Sequence, residues 1–239
     1  MSLLDEQKRY YAARAPEYDD WWFRRGRYAL EPEAERRWLQ DVAEAEARLA
    51  AFAPRGDVLE LAAGTGIWTR RLVPLADRVV AVDANPETLA RNTPAAELVE
   101  ADIFGWRPAG RFDLCFFSFW HSHVPDERLD EFWALVRSAL RPGGRVFLVD
   151  NNVGDRAHTG TDQADGEETR TTADGRAFRI VKRRWEPGEL AARVRPLGFD
   201  LDLHATANGH FVVGGGSRRL DGAGEGAEAA ALPPTEQGP

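Results

Sequence analysis

The 239-residue chain is long enough for one α/β domain with a substantial core. Its formal charge of −8 argues against a general nucleic-acid binder, and its one cysteine, Cys115, excludes disulfides and cysteine-based metal sites. No apolar run approaches the length of a membrane span, and the charged first ten residues do not read as a secretory signal, so a cytoplasmic protein is expected.

The first 53 residues are expected to form a helical cap or lid. They carry Tyr10, Tyr11, Tyr18, Trp21, Trp22, Phe23 and Tyr28, with Arg24, Arg25 and Arg27 interleaved with the last of these. Some of these rings pack helices onto a sheet. Others suit the roof of a ligand pocket, because Tyr and Trp present a broad apolar face with a polar tip. Glu31 to Phe52 reads as a long helix, with Trp38, Leu39, Val42 and Leu49 forming its apolar stripe.

A core domain is expected over 54–216. Val58 to Leu61 is apolar enough for a buried strand, and Ile67 onward suits a helix ending near Pro74. Ala62-Ala63-Gly64-Thr65-Gly66 joins them. Gly64 and Gly66 allow backbone angles that a Cβ forbids, and they let a ligand approach the main chain beside the helix N-terminus. The dinucleotide fingerprint requires a third small residue three places on, where this chain has Thr69. An acidic residue precedes the turn instead, giving Glu60-x-x-x-Gly64-x-Gly66.

Val79 to Asp83 is a second strand whose acidic last residue follows Gly66 by seventeen positions, one helix and one strand later. A carboxylate there emerges beside the first turn and can accept both hydroxyls of a ribose, with Ala84 and Asn85 alongside. It can also cap the helix starting near Pro86, a task Asn85 can perform instead. Glu97 to Ala101 is a third strand, followed by Asp102-Ile103-Phe104. Phe112 to Ser118 is a fourth, covered on both faces by the look of its large apolar residues. It leads into Phe119-Trp120-His121-Ser122-His123. His121 and His123 are candidate proton acceptors, since imidazole titrates near neutrality. His-x-His without an obvious third ligand gives no reason to expect a metal.

Asp126 to Leu140 is helical, and Arg141-Pro142-Gly143-Gly144 turns into a fifth strand ending at Asp150, which places Asn151 and Asn152 at the ligand edge. Gly154 to Glu168 reads as a mobile loop. A hairpin inserted at about 167–184 turns at Asp174-Gly175. A helix from Glu186 to about Gly198 and strands around Leu201–Ala205 and His210–Val213 follow. Gly214-Gly215-Gly216 is expected to open a disordered tail, 217–239, with little to bury.

Taken together, the acidic-glycine turn, the acid after strand two, Asp-Ile after strand three and the Leu-x-Pro-Gly-Gly turn resemble class I S-adenosylmethionine (SAM)-dependent methyltransferases of the small-molecule type, over roughly residues 10–215. The family often has glycine where this chain has Ala62. The resemblance implies a Rossmann-like, doubly wound seven-stranded sheet of order 3-2-1-4-5-7-6, the last strand antiparallel. It implies SAM as cofactor, contacted by Tyr18, Glu60, Ala62, Gly64, Thr65, Gly66, Asp83, Ala84, Asn85, Asp102, Ile103, Phe104, Ser118, Phe119 and His123. In it an acidic residue at Asp102 bonds the adenine amino group, and a histidine followed by an apolar residue often stands at His123-Val124.

The expected reaction is methyl transfer to an O, N or C atom of a small molecule such as a natural-product intermediate. His121, or failing that His123, is the expected base, and Tyr11, Trp21, Trp22, Trp120, Asn151 and Asn152 are expected around the acceptor. This aromatic set suggests a flat or apolar acceptor. The other readings are a SAM-binding protein that does not methylate (cyclase, decarboxylase or regulatory subunit), a NAD-dependent oxidoreductase, and RNA methylation. The missing third glycine speaks against the oxidoreductase, and overall acidity against RNA. The sequence says nothing of oligomeric state.

Overall fold

A computed structural model of the chain describes residues 2–154 and 166–220. The N-terminal segment forms α1 (Leu3–Arg14), α2 (Tyr18–Trp22) and α3 (Pro32–Phe52). A capping box starts α1: Ser2 Oγ accepts from the Asp5 amide at 3.1 Å and Asp5 returns the bond at 3.2 Å. Pro32 opens α3, where its missing N–H costs nothing.

Then come β1 (Asp57–Leu61), α4 (Thr69–Leu72), β2 (Arg78–Asp83), α5 (Pro86–Leu89), β3 (Glu97–Glu100), β4 (Phe112–Ser118), α6 (Leu129–Ala139) and β5 (Leu140–Asn151). The hairpin strands β6 (Gly166–Thr171) and β7 (Ala177–Lys182), then α7 (Pro187–Val194), β8 (Phe199–Ala205) and β9 (Phe211–Arg218) complete the described chain. The main sheet has the order β3-β2-β1-β4-β5-β9-β8. β1 to β5 run parallel, and β9 is antiparallel to both of its neighbours. Leaving out the separate β6–β7 hairpin, this is the expected order 3-2-1-4-5-7-6.

Both faces of the sheet are covered, as side-chain alternation along β4 requires. Leu114 and Phe116 pack on the face shared with Trp38, Leu49 and Phe147. Cys115 and Phe117 pack on the opposite face with Phe132, Trp133 and Trp185. All four strand residues are fully buried.

Two expectations change. The helix after the glycine turn begins at Thr69, not Ile67, and spans four residues; Gly66 lies at φ +84°, where a Cβ would fall on the Asn92 side chain. The three glycines expected to open the tail lie inside β9, which continues to Arg218. A Cβ at Gly214 or Gly216 would meet the carbonyl oxygens of Asp202 or Asp200, and one at Gly215 that of Val146. They are glycine because neighbouring backbones press on this strand. The expected mobile loop falls largely on 155–165 and the tail largely on 221–239, both outside the described residues.

Gly216→Ala is expected to destabilise the protein by about 3 kcal/mol, at the upper end of overpacking costs because a backbone oxygen cannot rotate away. Urea unfolding measures this; an unchanged midpoint would mean the β8–β9 pairing is looser than described.

Candidate functional site

A cavity of about 760 Å³ opens at the carboxyl ends of β1, β2, β3 and β4. Its floor is built from successive strand ends: Ala62 and Gly64, then Asp83, Ala84 and Asn85, then Asp102, Ile103 and Phe104, then Ser118, Phe119 and Trp120. α1 roofs it with Leu4, Gln7, Lys8 and Tyr11, at i, i+3, i+4 and i+7 on one helical face, and Tyr18 continues the roof. Gly64 lies at φ +55° with open space where a Cβ would stand.

Asp83 is buried and fixed by donors. One carboxylate oxygen accepts from the Gly64 amide at 2.9 Å; the other accepts from the Asn85 amide at 2.9 Å and Thr88 Oγ1 at 3.1 Å. Burial pushes its pKa above the ordinary carboxylate value, against these bonds. A carboxylate offers about four lone-pair sites, so acceptor capacity remains toward the cavity. Across the floor, Asp102 accepts from Lys8 Nζ of α1 at 2.6 Å and from the Phe104 amide at 3.1 Å. The Phe104 and Trp120 rings, 6.1 Å apart, give this end an apolar wall.

Three predicted residues stand behind the floor. Glu60 is buried and accepts from Thr69 Oγ1 at 2.6 Å; burial pushes its carboxyl up to about 8. Thr65 Oγ1 donates to Asp19 at 2.5 Å, tying α2 to the glycine turn. Gly66 packs against Asn92. Ala62, at φ +54°, occupies a left-handed backbone position that costs a non-glycine residue roughly 1–2 kcal/mol. Phe119 is left-handed too, at φ +50°.

A second cavity, of about 1290 Å³, lies between α1, the Trp21–Leu30 segment and the hairpin. Tyr11, Tyr18, Phe119 and His123 line both cavities. The second one is basic: Arg14, Arg24, Arg27, Arg170 and Lys182 line it, and no carboxylate does among the described residues. Arg27 pairs with Glu17 at 3.6 Å and Arg170 with Glu168. Lys182 Nζ donates to Ser122 Oγ at 2.9 Å and Asn151 Oδ1 at 2.5 Å. Arg14 has no ion pair among the described residues. Its guanidinium instead lies over the Tyr10, Tyr18, Trp21 and Tyr28 rings at 5.2–5.6 Å, and its buried Nε has no hydrogen-bond partner.

The two histidines separate. His123 is buried between the cavities: Nδ1 lies 2.6 Å from the Val181 carbonyl and Nε2 lies 2.7 Å from Tyr11 Oη. His121 lines neither cavity. It is fully buried beside Phe117, Phe132, Trp133 and Trp185, and its Nε2 accepts from Trp133 Nε1 at 3.1 Å. Burial, then Arg183 and Arg193, lowers its pKa to about 3. A proton acceptor walled off from both cavities cannot reach a substrate, so the geometry favours His123. The acceptor set separates likewise. Trp21, Tyr11 and Asn151 line the basic cavity, and Trp120 lines the other. Trp22 belongs to the core with Trp38, Trp68 and Phe211. Asn152 is tied to the Gly209 and His210 carbonyls.

Sequence reading missed Gln7, Lys8, Thr88, Arg14, Arg170 and Lys182. The α1 spacing was available as a signal. The hairpin cations were not, because nothing local distinguishes an inward-facing Arg from a solvated one. Among the described residues no cluster of three metal-ligating side chains occurs, and no helix is long and apolar enough to cross a membrane.

A family profile described as a methyltransferase domain matches residues 58–144. The structure of a DhpI–SAH complex is 37% identical, with a TM-score of 0.75, covering 92% of this chain and 100% of that one. A DhpI–SAM–HEP complex is 38% identical, with a TM-score of 0.74, covering 89% and 97%. Chondramide synthase of Chondromyces crocatus is 33% identical over 169 residues, 62% of this chain; the chain spans 4% of that relative's length.

The His121 environment sets an expected pH dependence. An unfolded histidine titrates near its model value of 6.5 and this one near 3, so unfolding takes up a proton between those values. Its contribution to stability is present above pH 6.5 and lost as pH falls toward 3. His121→Phe removes the Trp133 acceptor and is expected to cost about 1–3 kcal/mol at pH 7. In urea unfolding, the gap between wild type and variant is expected to narrow from pH 7 to pH 4. A constant gap would contradict this burial of a neutral ring.

Proposed function

This chain belongs to the class I SAM-dependent methyltransferases, and from that premise we propose that it methylates an ionised oxygen of a small molecule held in the basic cavity. The observation that carries the reading is the wall shared by the two cavities, with cations gathered on one side of it. The first cavity fits SAM. Asp83 has an acceptor site left for a ribose hydroxyl, Asp102 can take the adenine amino group, and Ile103, Phe104 and Trp120 offer apolar surface to the ring. Gly64 leaves room for close approach of the main chain. Asp102 accepts two bonds, from Lys8 and the Phe104 amide, and so keeps acceptor capacity for the adenine amino group.

SAM, when bound, supplies an electrophilic methyl carbon: the acceptor oxygen forms the O–C bond as the C–S bond breaks, its electron pair staying on sulfur. The protein's part is mainly placement, worth up to about 7–11 kcal/mol for well-oriented partners. Arg14, Arg170 and Lys182 hold the anion, and an unpaired guanidinium among aromatic rings gains most from one. An oxygen already ionised needs no base, which suits the site: burial, then Lys182, holds His123 well below its ordinary pKa. His123 therefore acts as a positioning residue. Trp21 and the tyrosines cover the rest of the acceptor, which we place among natural-product intermediates. Action on such molecules rather than on nucleic acid is supported by the net charge of −8.

Incubation with SAM and a panel of small acceptors tests this, with SAH formation as the readout. Phosphate monoesters, phosphonates, sulfonates and carboxylates are expected to be methylated, and neutral alcohols and amines of similar size are not. Arg170→Gln is expected to raise the acceptor KM about tenfold or more, the cost of one charge-assisted hydrogen bond, while leaving the SAM Kd within about twofold. Preference for neutral acceptors, or an unaltered KM, would overturn the oxyanion reading.

A further inference from the structure

A methyl group leaving the first cavity for the second must pass the side chains that line both, and Tyr11 is one of them. Its hydroxyl proton is already committed. The Val181 carbonyl can only accept, so His123 Nδ1, 2.6 Å away, carries the ring hydrogen. Burial keeps the imidazole neutral, which leaves Nε2 as a bare acceptor. Tyr11 Oη, 2.7 Å from Nε2, must be the donor, and burial raises the phenol pKa well above its ordinary value, so the proton stays in place.

Gln7 locks the relay from α1: its Nε2 donates to the His123 carbonyl at 3.1 Å and its Oε1 accepts from the Val181 amide at 2.9 Å. No described residue donates to the Tyr11 oxygen. The phenol at the shared wall is therefore acceptor-only, with lone pairs and no proton to present. A sulfonium polarises the hydrogens of its methyl group, which then act as weak C–H donors. The thioether SAH has neither the charge nor the methyl group.

We propose that the Tyr11 oxygen is the contact that recognises the transferable methyl, aligning it toward the basic cavity and favouring SAM over SAH. This rests on the methyltransferase reading. A freely rotating hydroxyl would turn its proton away from the cation only part of the time; the His123–Val181 relay fixes that orientation.

Calorimetry with wild type and Tyr11→Phe tests it without turnover. Phe keeps the ring and removes the oxygen. SAH affinity is expected to stay within about twofold, while SAM affinity falls about two- to fivefold, the worth of one such contact. The ratio of the two constants is the signature a merely structural role would not move. Equal losses for both ligands, or no change in either, overturn the proposal. Should Tyr11→Phe not fold, His123→Leu serves: it frees the phenol proton and is expected to lower the SAM-to-SAH preference likewise, and an unchanged preference refutes the relay. If wild type binds neither ligand, the methyltransferase reading itself fails, an outcome distinct from both.

Discussion

One carboxylate holds the ligand edge of this sheet in shape. Asp83, at the end of β2, reaches across to the amide of Gly64 in the turn after β1, and its second oxygen takes the Asn85 amide and the Thr88 hydroxyl. The turn it grips is strained at Ala62, a left-handed non-glycine residue, and strain persists only where surroundings over-determine the backbone. Glu60 behind Thr69 and Asp19 beneath Thr65 fasten the same turn from two more directions. The acids around the glycines thus divide their work: Asp83 faces the cavity, while Glu60 and Asp19 brace its floor.

The second constraint is that both cavities are closed by one unit. α1 lies against β7 through Gln7 to Val181, Glu6 to Arg179 (2.7 Å to the amide), and the Tyr10 and Phe178 rings at 5.9 Å. α1 roofs the first cavity, and the hairpin supplies Arg170 and Lys182 to the second. Displacing α1 therefore disturbs both at once. The arrangement also gathers five cations in one cavity of a chain that is acidic overall, concentrating the field where a small anion would enter and not along a surface that nucleic acid would need.

Much of the frame was legible because strands and turns announce themselves locally. Apolar runs marked β1, β2 and β4 almost to the residue, and the acids after β2 and β3 fell on the cavity as their spacing implied. What failed was long-range. His121 and His123 are two residues apart, yet a short 3₁₀ turn, His121–His123, sends one ring into the core and the other to the cavities, an outcome decided by Trp133 and Val181 from distant segments. The glycine run reads as the start of a tail because composition cannot reveal that β5 and β8 press on β9 from both sides. The acceptor side was drawn as aromatic from Trp21, Trp22 and Trp120, while its cations come from α1 and the hairpin and meet only in three dimensions.

The account stands on where the adenosyl group lies. A crystal structure with bound SAH measures this directly. Its ribose is predicted to bond Asp83, its adenine to lie against Ile103 and Phe104 with its amino group on Asp102, and its sulfur to point at the wall of Tyr11 and Phe119. SAH bound in the basic cavity instead, with Asp83 making no contact to it, would contradict the account.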